Sequence, residues 1–443
     1  MAPAALTCAM TAESAPAPKP LPSRIESIGA SVLHGPQRLK FEMRTITQPG
    51  VGELQVAIRK TGICGSDVSY YKKFANGDLC ACEPLSLGHE SSGEVVAIGP
   101  AVTGFRVGDR VALEVGVACG TCELCRRGRY NLCKTLRFRS SAKTKPHYQG
   151  TLQEKINHPA IWCHKLPDHI SYDAAALLEP LSVAIHAVNR ASPTPGSTAL
   201  VIGAGTVGLL TAAMARQSGC AEVMITDVDE GRVRYATERG FATQGYVVPR
   251  SSPQSSGCPS TSSSGTSTPA DSGTATPALS IFSVPPTVHD PKAQFAPAEE
   301  LAKSIMTDMR MKSTFMTEDD DGVDITFECT GKAICMQTSL YATNPGGKVI
   351  MVGMGTPIQT LPLSVAHLRE IDILGIFRYA NTYATGIRLI SGQKYGGICQ
   401  FPSLDNMITH RFKGLQNAHQ AFELAGRTVD DEGQLVLKVV IEA

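Results

Sequence analysis

Four cysteines, Cys119, Cys122, Cys125 and Cys133, stand in a C-x2-C-x2-C-x7-C pattern. One short loop at that spacing can wrap a tetrahedral ion with four thiolates. The chemistry this predicts is structural zinc, because protein fills every coordination position and none is left for a substrate. A second set is looser in sequence: Cys64 in Gly62-Ile-Cys-Gly-Ser-Asp67, the neighbours His89 and Glu90, and Glu179 in Leu178-Glu-Pro180. A soft thiolate, an imidazole and a carboxylate give zinc three protein ligands and leave a fourth position open, which is the requirement for catalysis. His89 alone would read as a satisfied core histidine. Cys64 and Glu90 supply the two further ligand types that change that reading.

Gly203-Ala-Gly205-Thr206-Val207-Gly208 follows an apolar run ending at Ile202, and Asp227 ends the next such run 24 residues beyond Gly203. In a dinucleotide-binding turn the first glycine makes the bend, the second admits the pyrophosphate to the backbone and the third lets helix and strand pack closely. The helix N-terminus then offers free N–H groups to the phosphates. The carboxylate of Asp227 suits the two ribose hydroxyls and repels a 2'-phosphate, so NAD is expected over NADP. Arg232, five residues on, could soften that preference or lie exposed on its helix.

Two kinds of texture must position these residues. Residues 1–24 are rich in Ala and Pro without a periodic apolar face and are expected to be a disordered tail. Across 25–187, short β-like runs such as Glu53–Arg59 and Gly93–Ile98 alternate with Gly and Pro turns, which predicts a largely antiparallel β domain. From 188 to 376 apolar runs alternate with helical stretches. Thr198–Ile202 and Glu222–Thr226 are each followed by a helix, and Val323–Phe327, Gly347–Val352 and Ile371–Leu374 are strand-like. Such βαβ repetition predicts a doubly wound parallel sheet. It is interrupted at about 249–298, where 23 of the 30 residues from Ser251 to Ser280 are Ser, Thr, Pro or Gly. That composition cannot bury enough apolar surface to order itself, so a surface insert is expected, with phosphorylation of its hydroxyls as the alternative role.

Composition excludes other classes. Lys plus Arg number 41 against 40 for Asp plus Glu, a formal charge of +1, which leaves no footprint for nucleic acid or an anionic membrane. A small neutral partner fits better. The 443 residues exceed what one core usually organises, so two domains are expected. No stretch approaches the roughly 20 apolar residues of a span, and the first 25 residues lack a secretory pattern. A cytoplasmic protein is expected, in which 14 cysteines are more often metal ligands than disulfides.

Together these pieces resemble the zinc-containing medium-chain alcohol dehydrogenases, and within them the polyol group of sorbitol, xylitol and L-arabinitol dehydrogenases. The resemblance runs from about Ser31 to the C-terminus, outside the insert. It rests on I-C-G-S-D, G-H-E, the four-cysteine lobe, E-P-L-S-V at Glu179–Val183, G-A-G-T-V-G and E-C-T-G at Glu328–Gly331. It implies an α/β protein with a GroES-like catalytic domain, a Rossmann coenzyme domain, and a return of 377–443 to the catalytic domain. It also implies two zinc ions per subunit, NAD, a small-molecule polyol and a homotetramer. Carried over by position, Cys64, His89 and Glu90 match ligands of the catalytic zinc. Glu179 matches a carboxylate that touches the metal directly or through its water. Arg378 and Tyr379 match residues that reach substrate hydroxyls, and Ser66, Tyr70 and Phe138 match other lining positions.

Two departures stand out. Where many relatives carry a proton-relaying histidine, this chain has Ser69, so the proton is expected to leave through Ser66 and the cofactor ribose or towards Glu179. The segment 139–149, with Lys143, Lys145 and His147, is longer and more basic than in animal sorbitol dehydrogenases and is expected to reshape a pocket wall. The alternatives are a dehydrogenase of another secondary or vicinal alcohol, such as a butanediol, threonine or a secondary metabolite, and a non-catalytic relative.

Overall fold

The computed structural model describes residues 25–250, 292–392 and 401–443. The expected N-terminal tail and most of the Ser/Thr/Pro-rich insert lie outside the described residues. Among the described residues no helix is long and apolar enough to cross a membrane.

Two sheets carry the molecule. The first has seven strands, in the order Cys163–Lys165, Arg110–Leu113, Glu90–Ile98, Glu53–Gly62, Lys438–Glu442 and Ile408–Lys413, with Lys155–Pro159 also pairing Glu53–Gly62. Its pairings are antiparallel except that of the two C-terminal strands. Alternating side chains of Glu53–Gly62, such as Leu54, Val56 and Ile58, are fully or almost fully buried against Val95, Val111 and Leu113. That alternation is what a half-buried strand requires.

The second sheet is wholly parallel and six-stranded: Gln244–Val247, Glu222–Asp227, Thr198–Ile202, Val323–Glu328, Thr343–Met351 and Asp372–Gly375. The chain starts at its centre and winds outward both ways. The order therefore reverses beside Thr198–Ile202, the place where doubly wound sheets bind ligands. Helix Thr206–Gln217 buries eight consecutive residues from Gly208 to Ala215, as a helix does when sandwiched between a sheet and another helix. One apolar cluster joins the sheets, running from Val201 and Ile225 through Leu178, Leu181 and Ile185 to Tyr379, Tyr383 and Val440.

Two boundaries differ from expectation. The insert ends earlier than 298: helical structure begins at Ala293, and Ala296–Lys312 is an α-helix. Its stripe of Ala298, Ala302, Ile305 and Met309 is buried at helical spacing, which offsets the polar composition just before it. The strand expected at Gly347 starts at Thr343, because the turn-like Asn344-Pro-Gly-Gly347 is absorbed as an irregularity between Val323 and Ile325 of its neighbour.

Candidate active site

Strand register assembles the open donor set. Gly62 lies opposite Glu90 in the antiparallel pair, so Cys64, just past the end of one strand, meets His89, just before the start of the other. The ligating atoms of Cys64, His89 and Glu90 all lie within 4.8 Å of one another, and His89 and Glu90 are buried. The third strand of this junction is C-terminal, with Val440 opposite Gly62. It brings Lys438, whose Nζ donates to both Glu90 oxygens at 2.9 and 2.6 Å and to the Ile63 carbonyl at 3.0 Å. Sequence reasoning missed Lys438, for no motif surrounds it.

Asp67 was visible only as the last letter of I-C-G-S-D, and it organises the site from below. It is buried in the first turn of helix Gly65–Lys73, with Oδ2 3.2 Å from His89 Nδ1. Its other oxygen accepts from Ser140 Oγ at 2.6 Å and the Gly88 N–H at 3.3 Å. His89 and these donors hold its carboxyl below the usual range against the opposing effect of burial. The Asp67 carboxylate stands at ion-pair distance from Nδ1 without meeting hydrogen-bond geometry, and a carboxylate behind a ligating histidine is the usual arrangement that leaves Nε2 for a metal.

The donor set fits zinc. Glu90 has lone pairs left after its two bonds to Lys438, and Cys64, His89 and Glu90 comprise the open mixed group expected of a catalytic ion. Space is also set aside for Glu90: a Cβ at Gly62 would meet its Oε2 at 2.4 Å and its Cβ at 3.3 Å. The carboxylate cannot swing aside without breaking both bonds to Lys438. Gly62→Ala is therefore expected to lower the occupancy of this site, read as metal per chain, while the four-cysteine site stays loaded.

Glu179 is not among the mutually close donors. It is buried in the first turn of helix Leu178–Ala191, and burial pushes its carboxyl up to about 7. His89, Glu90 and Tyr379 are near enough to act on its charge. Arg378 and Tyr379 follow strand Asp372–Gly375. The Arg378 guanidinium lies 3.5 Å over the Phe138 ring, and Phe138 in turn packs on the His89 ring at 5.4 Å. Burial draws Arg378 down to about 10, leaving it charged at neutral pH, and its Nη1 is buried without a hydrogen-bond partner among the described residues. Tyr70 is buried, and its hydroxyl accepts from the Ala142 N–H at 3.2 Å. Ser66 is half-buried beside Cys64. Ser69 instead donates to the Ala75 carbonyl at 3.0 Å. The 139–149 segment packs on helix Gly65–Lys73 through Ser140 and Ala142, while His147 turns away to the Cys82 N–H at 3.0 Å.

The four cysteines of the lobe also converge, with 3.9 Å between the sulfurs of Cys119 and Cys125 and 3.5 Å between those of Cys122 and Cys125. Thiolates about 2.3 Å from a tetrahedral zinc stand about 3.8 Å apart, so the lobe fits the ion. Backbone N–H groups of Cys122 and Thr121 draw the Cys119 thiol down to about 5, which favours the thiolate.

At the parallel sheet, Gly203 has φ +104, and a Cβ at Gly208 would stand 1.8 Å from the Gly203 carbonyl oxygen, so neither tolerates a side chain. Thr206 and Val207 open the following helix. Asp227 is braced by the N–H groups of Ala204 at 2.7 Å and Asp229 at 3.0 Å. Arg232 points elsewhere, donating to the Val436 carbonyl at 3.3 Å.

The alcohol dehydrogenase GroES-like domain family matches residues 50–168, and the zinc-binding dehydrogenase family matches residues 290–392. The chain is 35% identical to the sorbitol dehydrogenase of Gallus gallus over 398 residues, 90% of this chain and 93% of the relative. It is 34% identical to the L-idonate 5-dehydrogenase of Vitis vinifera over 399 residues, 90% of this chain and 91% of the relative. A solved oxidoreductase/dehydrogenase of unknown specificity from Escherichia coli superposes with a TM-score of 0.71 at 27% identity, covering 94% of this chain and 99% of that one.

Proposed function

The chain belongs to the zinc-containing medium-chain alcohol dehydrogenases, in their polyol dehydrogenase group, and from that premise we propose that it oxidises a secondary hydroxyl of a polyol to a ketose with NAD as acceptor. The observation that carries this reading is the company kept by the open donor set. Glu179 and Tyr379 are buried and the charged Arg378 is half-buried beside it, a guanidinium nitrogen of Arg378 has no hydrogen-bond partner among the described residues, and Phe138 spans the gap between Arg378 and His89. A hydroxyl-rich chain supplies the donors and acceptors that such a lining lacks.

Cys64, His89 and Glu90 would hold the catalytic zinc, and the cysteine lobe would hold the structural one. When bound, the catalytic ion supplies Lewis acidity that lowers the pKa of a hydroxyl, and NAD takes up the hydride. Asp67 keeps the His89 ring oriented for its ligand role. Arg378 and Tyr379 orient the substrate by hydroxyls beyond the reacting carbon. The proton is received by Glu179 or passed through Ser66; the Ser69 hydroxyl is committed to the Ala75 carbonyl and is not available for relay. Gly203, Gly205 and Gly208 admit the pyrophosphate, and Asp227 accepts from the adenosine ribose, which favours NAD over NADP.

The test is NAD reduction across sorbitol, xylitol, L-arabinitol and ribitol, with the ketose identified. At least one is expected to be turned over, and Arg378→Met should raise its KM by about tenfold or more, the loss of a charged hydrogen bond. Turnover of 2,3-butanediol or threonine with no turnover of any polyol would overturn the assignment.

A further inference from the structure

The turn that presents Arg378 is held from outside itself. Arg378 has φ +52 and Asn381 has φ +59, a left-handed backbone that non-glycine residues rarely adopt. Two such residues three positions apart persist only when their surroundings over-determine them. Here the surroundings are a single short segment of the cysteine lobe, residues 128–131. Asn131 Nδ2 donates to the Phe377 carbonyl at 2.7 Å, immediately before Arg378. The Asn381 N–H donates to Tyr130 Oη at 2.7 Å, and Asn381 Nδ2 donates to the Gly128 carbonyl at 2.8 Å. Both strained residues are thus bracketed by bonds crossing to the lobe.

The lobe side of these contacts is itself fixed. Tyr130 Oη donates to Glu114 Oε1 at 2.5 Å, and the other Glu114 oxygen is 2.8 Å from His164 Nε2. Glu114 and Asn131 are buried. Between the two segments lies a small cavity bordered by Tyr130, Asn131, Phe138, Arg378 and Tyr379. Asn131 Oδ1 and Arg378 Nη1 are both buried without a hydrogen-bond partner among the described residues.

We propose that residues 128–131 form a clamp that positions the Arg378 guanidinium for a substrate hydroxyl, with Tyr130 and Asn131 as the positioning residues. This rests on the polyol reading above. The four-cysteine lobe then has a second role: beyond folding around its own ion, it sets the geometry with which the far end of the substrate is held. Neither residue touches the reacting carbon, so loss of the clamp should weaken polyol binding and leave the chemical step intact.

The experiment compares the full-length, zinc-loaded wild type with Tyr130→Phe, which removes the acceptor of the Asn381 N–H, and Asn131→Asp, which keeps the side-chain size but loses the donor to the Phe377 carbonyl. Backbone hydrogen exchange of a peptide spanning 376–383 should quicken by about tenfold in either variant, as expected for a lost hydrogen bond. With the best polyol, KM should rise by about tenfold while kcat stays within about twofold, and KM for NAD and metal content should not move. With 2-propanol, which has no further hydroxyl for Arg378, KM should match wild type. Trp162 is the only tryptophan and its ring lies 4.9 Å from that of Tyr130, so its emission reports on the clamp directly and should shift in Tyr130→Phe. Unchanged exchange at 376–383, or KM for 2-propanol rising in step with that for the polyol, overturns the clamp. If the wild type turns over no polyol while exchange quickens in the variants, the substrate reading falls and the clamp on Arg378 stands.

Discussion

His89→Ala is expected to lower kcat/KM by at least about 10³-fold, because Lewis acidity contributes several kcal/mol to stabilising the transition state. The metal count should fall from two ions per chain to one. Two donors, Cys64 and Glu90, would remain, and Lys438 already holds both oxygens of Glu90. A thiolate and a shared carboxylate fall short of the three protein ligands that an open catalytic zinc site needs. The fold should survive, since Asp67 keeps its bonds from Ser140 Oγ and the Gly88 N–H, and the four-cysteine lobe lies elsewhere in the sequence and keeps all its ligands. Far-UV circular dichroism and NAD affinity should therefore match wild type. The measurement is elemental analysis beside steady-state kinetics. A variant with two ions per chain, or a metal-free wild type with full activity, would sink the ligand assignment.

How far the sequence discloses such a site depends on the range over which its parts are joined. The glycine turn lies within six residues, and strand, turn and helix follow in order, so local pattern suffices; the structure adds that Gly208 sits against the Gly203 carbonyl. The cysteine lobe is equally local. Cys64 and His89 flank different strands, yet each sits in a short motif, and one antiparallel register joins them. Lys438 is different in kind. It stands 348 residues from Glu90, and its role follows from Val440 lying opposite Gly62, a pairing that no periodicity reveals. The clamp is hidden for the same reason: Asn131 and Phe377 are 246 positions apart, and only the fold makes them neighbours. Boundaries failed where composition spoke louder than packing. Asn344-Pro-Gly-Gly347 reads as a turn, but the parallel pairing on either side draws it into a strand. The buried stripe after Phe295 likewise ends the insert sooner than its polar residues suggest.

Lys438→Met should destabilise the metal-free protein and leave the zinc-loaded protein much less affected. Lys438 and Glu90 are 2% and 1% exposed, and the ammonium spends its three donors on the two Glu90 oxygens and the Ile63 carbonyl. Methionine fills similar space without charge, so packing is largely kept and the loss is electrostatic. Removing one partner of a buried pair leaves the other as an uncompensated charge, at a cost of about 3–5 kcal/mol. The metal-free variant deprives Glu90 of both hydrogen bonds from the ammonium, with Cys64 and Glu179 as further acidic groups nearby. A divalent ion at the donor set restores the missing positive charge. Stabilisation by zinc, which follows from binding the native state alone, should therefore be larger in the variant than in wild type. The comparison is four thermal or urea unfolding curves, wild type and variant, each with zinc and with a chelator. The gap between the two chelated curves should be wide and that between the two loaded curves narrow. Equal gaps would mean that Lys438 acts on the strand pairing rather than on the charge of the site, and a chelated variant as stable as wild type would remove Lys438 from the account of this centre altogether.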